Sequence, residues 1–207
     1  MSSRARLVAF CRKMPSITYD QLRQTWLYDV GSRFATLEIA QKNILVYEQG
    51  HIDQTALQRL VQDGFSVPDF DGFAVLEAES FEKIQEVLAS EEWKTNVGPI
   101  EGSVIDITSP EVWPCASVET IGESGVKGFR YVVFDGGNIN RETCDHFSML
   151  QKLIKMSLLK MVSGDAGGNK SLVFIETDSL EPSSRPSALS NCEGKILPAI
   201  VETIIRK

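Results

Sequence analysis

Residues 1–110 carry an ordered alternation of strand and helix signals that few folds accommodate. The run Leu7-Val8-Ala9-Phe10-Cys11-Arg12-Lys13 reads as a strand and leads through Met14-Pro15 into a helix. That helix opens at Thr18-Tyr19-Asp20-Gln21, which has the form of a capping box. Tyr19, Leu22 and Trp26 then recur at helical spacing. Gly31 is expected to interrupt the helix, with more helix from Phe34 to Ala40. A second strand starts at Ile44 and ends at His51, and a third runs from Phe70 to Glu77. A short helix over Thr55–Asp63 lies between them, and another begins near Ser80 with Phe81, Ile84, Val87 and Leu88 inward. Gly98-Pro99 should break the chain before a fourth strand near Ser103–Ile107. The order describes an α+β unit: a small antiparallel sheet with helices on one face and the other face open to a ligand or a second sheet.

A boundary is expected between Thr108 and Gly128, where Pro110, Pro114, Gly122, Gly125 and Gly128 cluster. This divides the chain into 1–110 and 111–207. The second part reads as a strand over Phe129–Phe134, a turn at Asp135-Gly136-Gly137-Asn138 and a long helix over Arg141–Val162. A strand over Leu172–Glu176, a polar loop over Ser179–Ser190 and a last apolar helix with Ile200, Val201, Ile204 and Ile205 complete it. The alternation admits a degenerate second copy of the first unit.

Alternation along the second strand puts Leu45, Tyr47, Gln49 and His51 on one side, and Ile44, Val46, Glu48 and Ile52 on the other. Tyrosine, amide and imidazole in a row form the leading candidate constellation. An imidazole can take and give a proton near neutrality, and a hydroxyl and an amide can hold an oxygen. Against this stands a His51 that merely caps a loop through Asp53. Asp71-Gly72 reads mainly as a bend at a strand entrance whose carboxylate accepts local amides. Asp29 would serve as a base only if buried, because desolvation raises a carboxyl pKa. Trp26 and Phe73 are candidate apolar walls.

The 207 residues carry 21 Lys and Arg against 28 Asp and Glu, a net charge of −7, which argues against a phosphate-tracking nucleic-acid binder. Cys11, Cys115, Cys144 and Cys192 show no zinc-knuckle or redox-dithiol spacing. His146 has Glu142 and Leu150 four residues away on either side, too little for a metal site. No apolar stretch of about twenty residues is present, and no secretion signal opens the sequence. Free thiols fit a reducing, cytoplasmic setting. Asp165-Ala166-Gly167-Gly168-Asn169-Lys170 suggests a phosphate loop but follows a helix signal and precedes a strand, the reverse of what such a loop needs.

Several pieces together resemble the EthD family of the dimeric α+β barrel superfamily. They are Lys13-Met14-Pro15, Thr18 to Trp26, Tyr47-Glu48-Gln49-Gly50-His51-Ile52-Asp53, Phe70-Asp71-Gly72-Phe73-Ala74, Glu79-Ser80-Phe81 and Ser90-Glu91-Glu92-Trp93. The resemblance implies a ferredoxin-like unit whose sheet pairs with another around a ligand cavity, in a homodimer or within one chain. It also implies cofactor-independent proton-transfer chemistry on a hydrophobic, oxygenated small molecule of the polyketide-like, secondary-metabolite kind: dehydration, decarboxylation, isomerisation or cyclisation. His51 would move the proton, and Tyr47 and Gln49 would orient a substrate oxygen. The chain departs from the family at Tyr28-Asp29-Val30-Gly31, which lacks the usual imidazole, and at Ile100-Glu101-Gly102, where many members carry an Asp-Glu pair. The alternatives are a binding protein that shapes a reactive intermediate without acid–base chemistry, and a non-catalytic dimerisation module.

Overall fold

A computed structural model of the chain describes residues 4–108, 111–122, 128–134, 153–161, 171–177 and 195–207. The fold is α+β, with an antiparallel sheet and helices. Two compact units are present. The first comprises Met1–His51, Asp69–Cys115 and Glu202–Lys207, the second Ile52–Pro68 and Ala116–Val201. The expectations for Cys144, His146, Cys192, the Asp135–Asn138 turn, the Asp165–Lys170 run and the Ser179–Ser190 loop lie outside the described residues.

In the first unit, β1 (Ala5–Cys11) and β2 (Ile44–Ile52) flank β3 (Gly72–Ala78), all antiparallel. The helical connection after β1 begins with α1 (Tyr19–Gln24), whose Thr18 cap forms the full capping box foreseen from the sequence. A π-helical segment over Thr25–Gly31 follows, then α2 (Ser32–Thr36) and α3 (Glu38–Asn43). Gly31 does not interrupt the helix. Its φ of −60° and ψ of −47° are helical, so the chain widens by a turn instead of stopping.

After β2, α4 (Gln54–Gln62) starts at an Asp53 cap, whose side chain accepts the Ala56 amide. It ends with Gly64 at φ 84°. The Gly64 amide donates to Val61 O and the Phe65 amide to Leu60 O, a Schellman closure that needs the left-handed conformation glycine tolerates. Beyond β3 come α5 (Phe81–Ala89), α6 (Glu91–Asn96) and α7 (Gly98–Val104).

The fourth strand expected at Ser103–Ile107 is therefore a helix with only an isolated Lys13–Ile105 bridge behind it. Pro99 stands in the first turn of α7, where a missing amide costs nothing, so Gly98-Pro99 starts an element rather than breaking one. The fourth strand is β4 (Glu111–Gly122), which continues through Pro114.

In the second unit β5 (Gly128–Phe134) and β6 (Leu153–Met161) flank β7 (Ser171–Thr177), and β8 (Ile196–Arg206) pairs with β5. Two expected helices are thus strands, the end of the 141–162 stretch and the C-terminal run. In LIKMSLLKM and ILPAIVETIIR apolar residues fit both a helical and a two-residue period. The β-branched Ile and Val of β8 favour the pleated surface, and pairing with β5 decides it. A core of Ala56, Leu60, Tyr131, Val133, Val173, Ile175 and Ile196 packs α4 on this sheet.

The main core of the first unit lies between its sheet and the helices. Leu22, Trp26, Val30, Phe34, Leu37 and Ala40 meet Cys11, Ile44, Tyr47, Leu76 and Ala78, with Ile84, Val87, Val97 and Val104 closing the sides. A register shift between Ile44 and Val46 puts Ile44 and Tyr47 on the same face, which strict alternation had separated. The opposite face carries aromatic packing. Phe10 lies 5.0 Å from Phe70, 5.9 Å from Phe73 and 6.3 Å from Trp113, ring centre to ring centre.

Candidate functional site

The β2 register places Tyr47 opposite Leu76, Gln49 opposite Ala74 and His51 opposite Gly72, so the three side chains share the helix-covered face. The row does not look out from an open sheet face. Tyr47 is part of the core and its ring sits 4.5 Å from that of Phe34. Trp26 crosses over the row. Its indole occupies the space that a side chain on Gly72 would take, an added Cβ falling 2.6 Å from Trp26 Cζ3. The role of Gly72 is thus to admit the indole, and its backbone is not left-handed.

The π segment brings the Trp26 carbonyl to the row, where Gln49 Nε2 donates to it at 3.0 Å. The same amide donates to the Tyr47 hydroxyl at 2.7 Å. Gln49 is then held by two bonds, and its Oε1 is left with no hydrogen-bond partner. Trp26 Nε1 and both His51 nitrogens are likewise buried without a partner. A neutral imidazole carries one donor and one acceptor, so the wall displays two donors and two acceptors unanswered by the protein. Each such group costs on the order of 1–3 kcal/mol when left unmade, which makes their concentration on one wall a feature to explain.

His51 is 5 % exposed and stands edge-on to Trp26, with ring centres 5.2 Å apart and planes at 71°. Burial, aided by the nearby Arg23 guanidinium, lowers its pKa from 6.5 to about 4. The imidazole is therefore neutral near pH 7, with a lone pair on one nitrogen and an N–H on the other. It caps no loop, since Asp53 caps α4 directly.

Glu101 closes the Tyr47 end. It lies on α7, three residues before the buried Val104, and is itself half-buried. Burial raises its carboxyl from 4.5 to about 7, an effect that the Trp26 indole opposes. The Cys11 thiol and Tyr47 hydroxyl are both pushed up, by burial first and then by the Glu101 charge. Both stay protonated through neutral pH.

The remaining candidates fall elsewhere. Asp29 is exposed on the π segment, so the burial that a base role required is not met. Asp71 accepts the Lys13 amide at 2.8 Å and the Tyr19 hydroxyl, and its own amide donates to Cys11 O; these bonds pin the turn after β1. Phe73 lies on the far face of β3 and covers Gly50. Tyr19, expected to point inward, is 41 % exposed. Among the described residues no group of His, Cys, Asp and Glu is arranged to hold a metal ion, and no helix is long and apolar enough to cross a membrane.

Glu101 was passed over as a functional residue in the sequence. Gly98-Pro99 reads in the sequence as a break, which hides the helix that carries it.

These two titrations oppose each other. The unfolded chain releases the Glu101 proton near 4.5 and the fold holds it to about 7, so its contribution is full below 4.5 and fades as pH rises. His51 contributes fully above 6.5, and its share fades as pH falls toward 4. Between about pH 4.5 and 6.5 the two slopes cancel. His51→Gln is expected to expose the Glu101 slope, with urea midpoints falling as pH rises through this window. Identical slopes in variant and parent would show that His51 titrates alike in the folded and unfolded chain.

No protein-family model matches the chain, and no curated protein sequence does. Solved structures do resemble it. An anthrone oxidase-like protein matches with a TM-score of 0.59 over 99 % of this chain and 94 % of its own, at 12 % identity. A candidate monooxygenase from Fusobacterium nucleatum subsp. nucleatum matches with a TM-score of 0.60 over 98 % and 94 %, at 9 % identity. A chlorite dismutase variant from Candidatus Nitrospira defluvii with cyanide bound matches with a TM-score of 0.58 over 99 % and 93 %, at 13 % identity. These likenesses establish the fold, the α+β architecture of the dimeric α+β barrel proteins.

Proposed function

We propose that the chain is a small-molecule enzyme that moves a proton on a hydrophobic, oxygenated substrate held between β2, Trp26 and α7. The observation that carries this reading is the set of four buried, unpartnered polar atoms on one wall: Trp26 Nε1, Gln49 Oε1 and the two His51 nitrogens. A ligand with both hydroxyl and carbonyl groups supplies what they lack. The wall is otherwise apolar, which suits a polycyclic phenolic ketone. The resemblance to an anthrone oxidase-like protein makes anthrones the first such compounds to try.

The step is abstraction of a proton from an activated carbon beside a carbonyl. The His51 lone pair takes the proton, and the C–H electron pair moves into an enolate. The enolate oxygen accepts from the Tyr47 hydroxyl, whose proton has no other use in the wall, or from the Trp26 N–H. The imidazolium then returns a proton to carbon. A low imidazole pKa favours the return. No cofactor enters this scheme; dehydration, isomerisation and cyclisation begin with it, and decarboxylation shares its enolate and the return of a proton to carbon. A homodimer and a cytoplasmic setting belong to the same proposal.

Anaerobic incubation with anthrone in deuterium oxide tests it. The expected result is deuterium incorporation at the activated methylene well above the rate in buffer alone. A folded protein that leaves the buffer rate unchanged for anthrone and its hydroxylated derivatives overturns the reading.

A further inference from the structure

Gln49 stands between Tyr47 and His51 on one face of β2 and is fully buried. The direction of its amide is settled by its partners. The Trp26 carbonyl oxygen can only accept, so the atom 3.0 Å from it must be the nitrogen. The same nitrogen reaches the Tyr47 hydroxyl at 2.7 Å, so both of its hydrogens are spent. Turning the amide over would set oxygen against oxygen at the Trp26 carbonyl. The π segment packs close against this bond. A side chain on the buried Gly31 would begin 3.5 Å from both Gln49 Nε2 and the Trp26 oxygen, with Ile204 Cδ1 at 3.2 Å. Gln49 Oε1 is therefore a fixed acceptor, buried and unanswered by the protein.

A fixed acceptor discriminates between ligands. A ketone, an ether oxygen or a bare ring edge placed against it brings no hydrogen and leaves Oε1 desolvated and unpaired. A hydroxyl brings one. We infer that Gln49 is a specificity-determining residue that selects ligands carrying a free hydroxyl on the flank of the ring system. The inference rests on the reading of the site given above and narrows its substrate class. The position of that hydroxyl follows from the strand. Side chains two residues apart on one face stand about 7 Å from each other, so Tyr47 and His51 bracket the amide. A ligand whose acidic carbon meets His51 and whose ketone meets Tyr47 turns the edge between them toward Oε1. A hydroxyl beside the ligand's own ketone spends its proton internally and does not qualify.

Deuterium exchange tests this with anthrone, an anthrone bearing one hydroxyl out of reach of its own ketone, and the methyl ether of that compound. Each rate is divided by its rate in buffer, which removes the substituent's electronic effect on the methylene. The hydroxylated probe should exceed both others by about tenfold or more in kcat/KM, because only it answers the buried acceptor. Anthrone, the smallest of the three, separates a missing donor from crowding by the ether's methyl group. In Gln49→Met, which keeps the volume and lacks the acceptor, the preference should vanish. A second readout needs no turnover. In protein with 13C in its glutamine side chains, the Gln49 Cδ resonance should move further with the hydroxylated probe than with its methyl ether. Should Gln49→Met fail to fold, that comparison in the parent decides the matter, and equal shifts overturn the inference. Equal relative rates for the three probes in the parent, or a hydroxyl preference kept by folded Gln49→Met, overturn the inference alone. A parent that speeds exchange into none of them overturns the reading of the site and this inference with it.

Discussion

His51→Ala is expected to slow deuterium exchange into anthrone by on the order of a hundredfold, the usual worth of a positioned acid or base. The ring lies on the same strand face as Tyr47 and Gln49, and both of its nitrogens lack a partner in the protein. Its removal should lower the rate at every pH above its own titration near 4, without changing the shape of the profile near 7. Truncation also leaves a void beside Trp26, so His51→Gln, which keeps volume and polarity, is the companion variant. Loss in both with the fold retained assigns the proton to His51. Full activity in either, with the fold intact, would leave Tyr47, Gln49 and Trp26 as a binding wall that shapes its ligand without acid–base chemistry.

The largest effect on stability is expected at Gly50. It pairs with Phe73 across the strands, and the Phe73 ring lies over it. A methyl group there would come within 2.2 Å of Phe73 Cζ and 2.3 Å of Cε1. Phe73 is fully buried and stands 5.9 Å from Phe10, so its ring has little room to yield. Gly50→Ala should cost about 2–3 kcal/mol through overpacking. Denaturant unfolding would show this as a lower midpoint at constant slope. Adding Phe73→Leu should recover part of the loss, because the two side chains compete for one volume. Strictly additive losses would show that the ring already avoids Gly50. Gly50 stands between Gln49 and His51, so a shifted strand would also move the site on its other face.

The first unit was largely legible in the sequence, and particular residues show why. Thr18 and Gln21 announced a helix start, Asp53 lay one residue before another, and the Tyr47–Gln49–His51 row kept its period after the bulge. What escaped depended on pairing or room. The stretches 153–161 and 196–206 are strands because β7 and β5 lie beside them, and no local period reports that. The bulge at Leu45 carried no glycine or proline to mark it. Glu101 departs from the EthD pattern, but Gly98-Pro99 reads as a break and so conceals the helix that carries it. The neutrality of His51 follows from the Trp26 indole lying against it, a contact between distant parts of the chain.

The wide turn over Thr25–Gly31 makes chain length itself part of what places Trp26. An α-helix advances about 100° per residue, so deleting a single residue between Thr18 and Ser32 would swing Trp26 relative to everything after it. The indole would leave the hollow above Gly72, and Gln49 would lose the carbonyl that holds its amide. Relatives that use this wall should therefore preserve the spacing between cap and sheet more faithfully than they preserve the side chains along it.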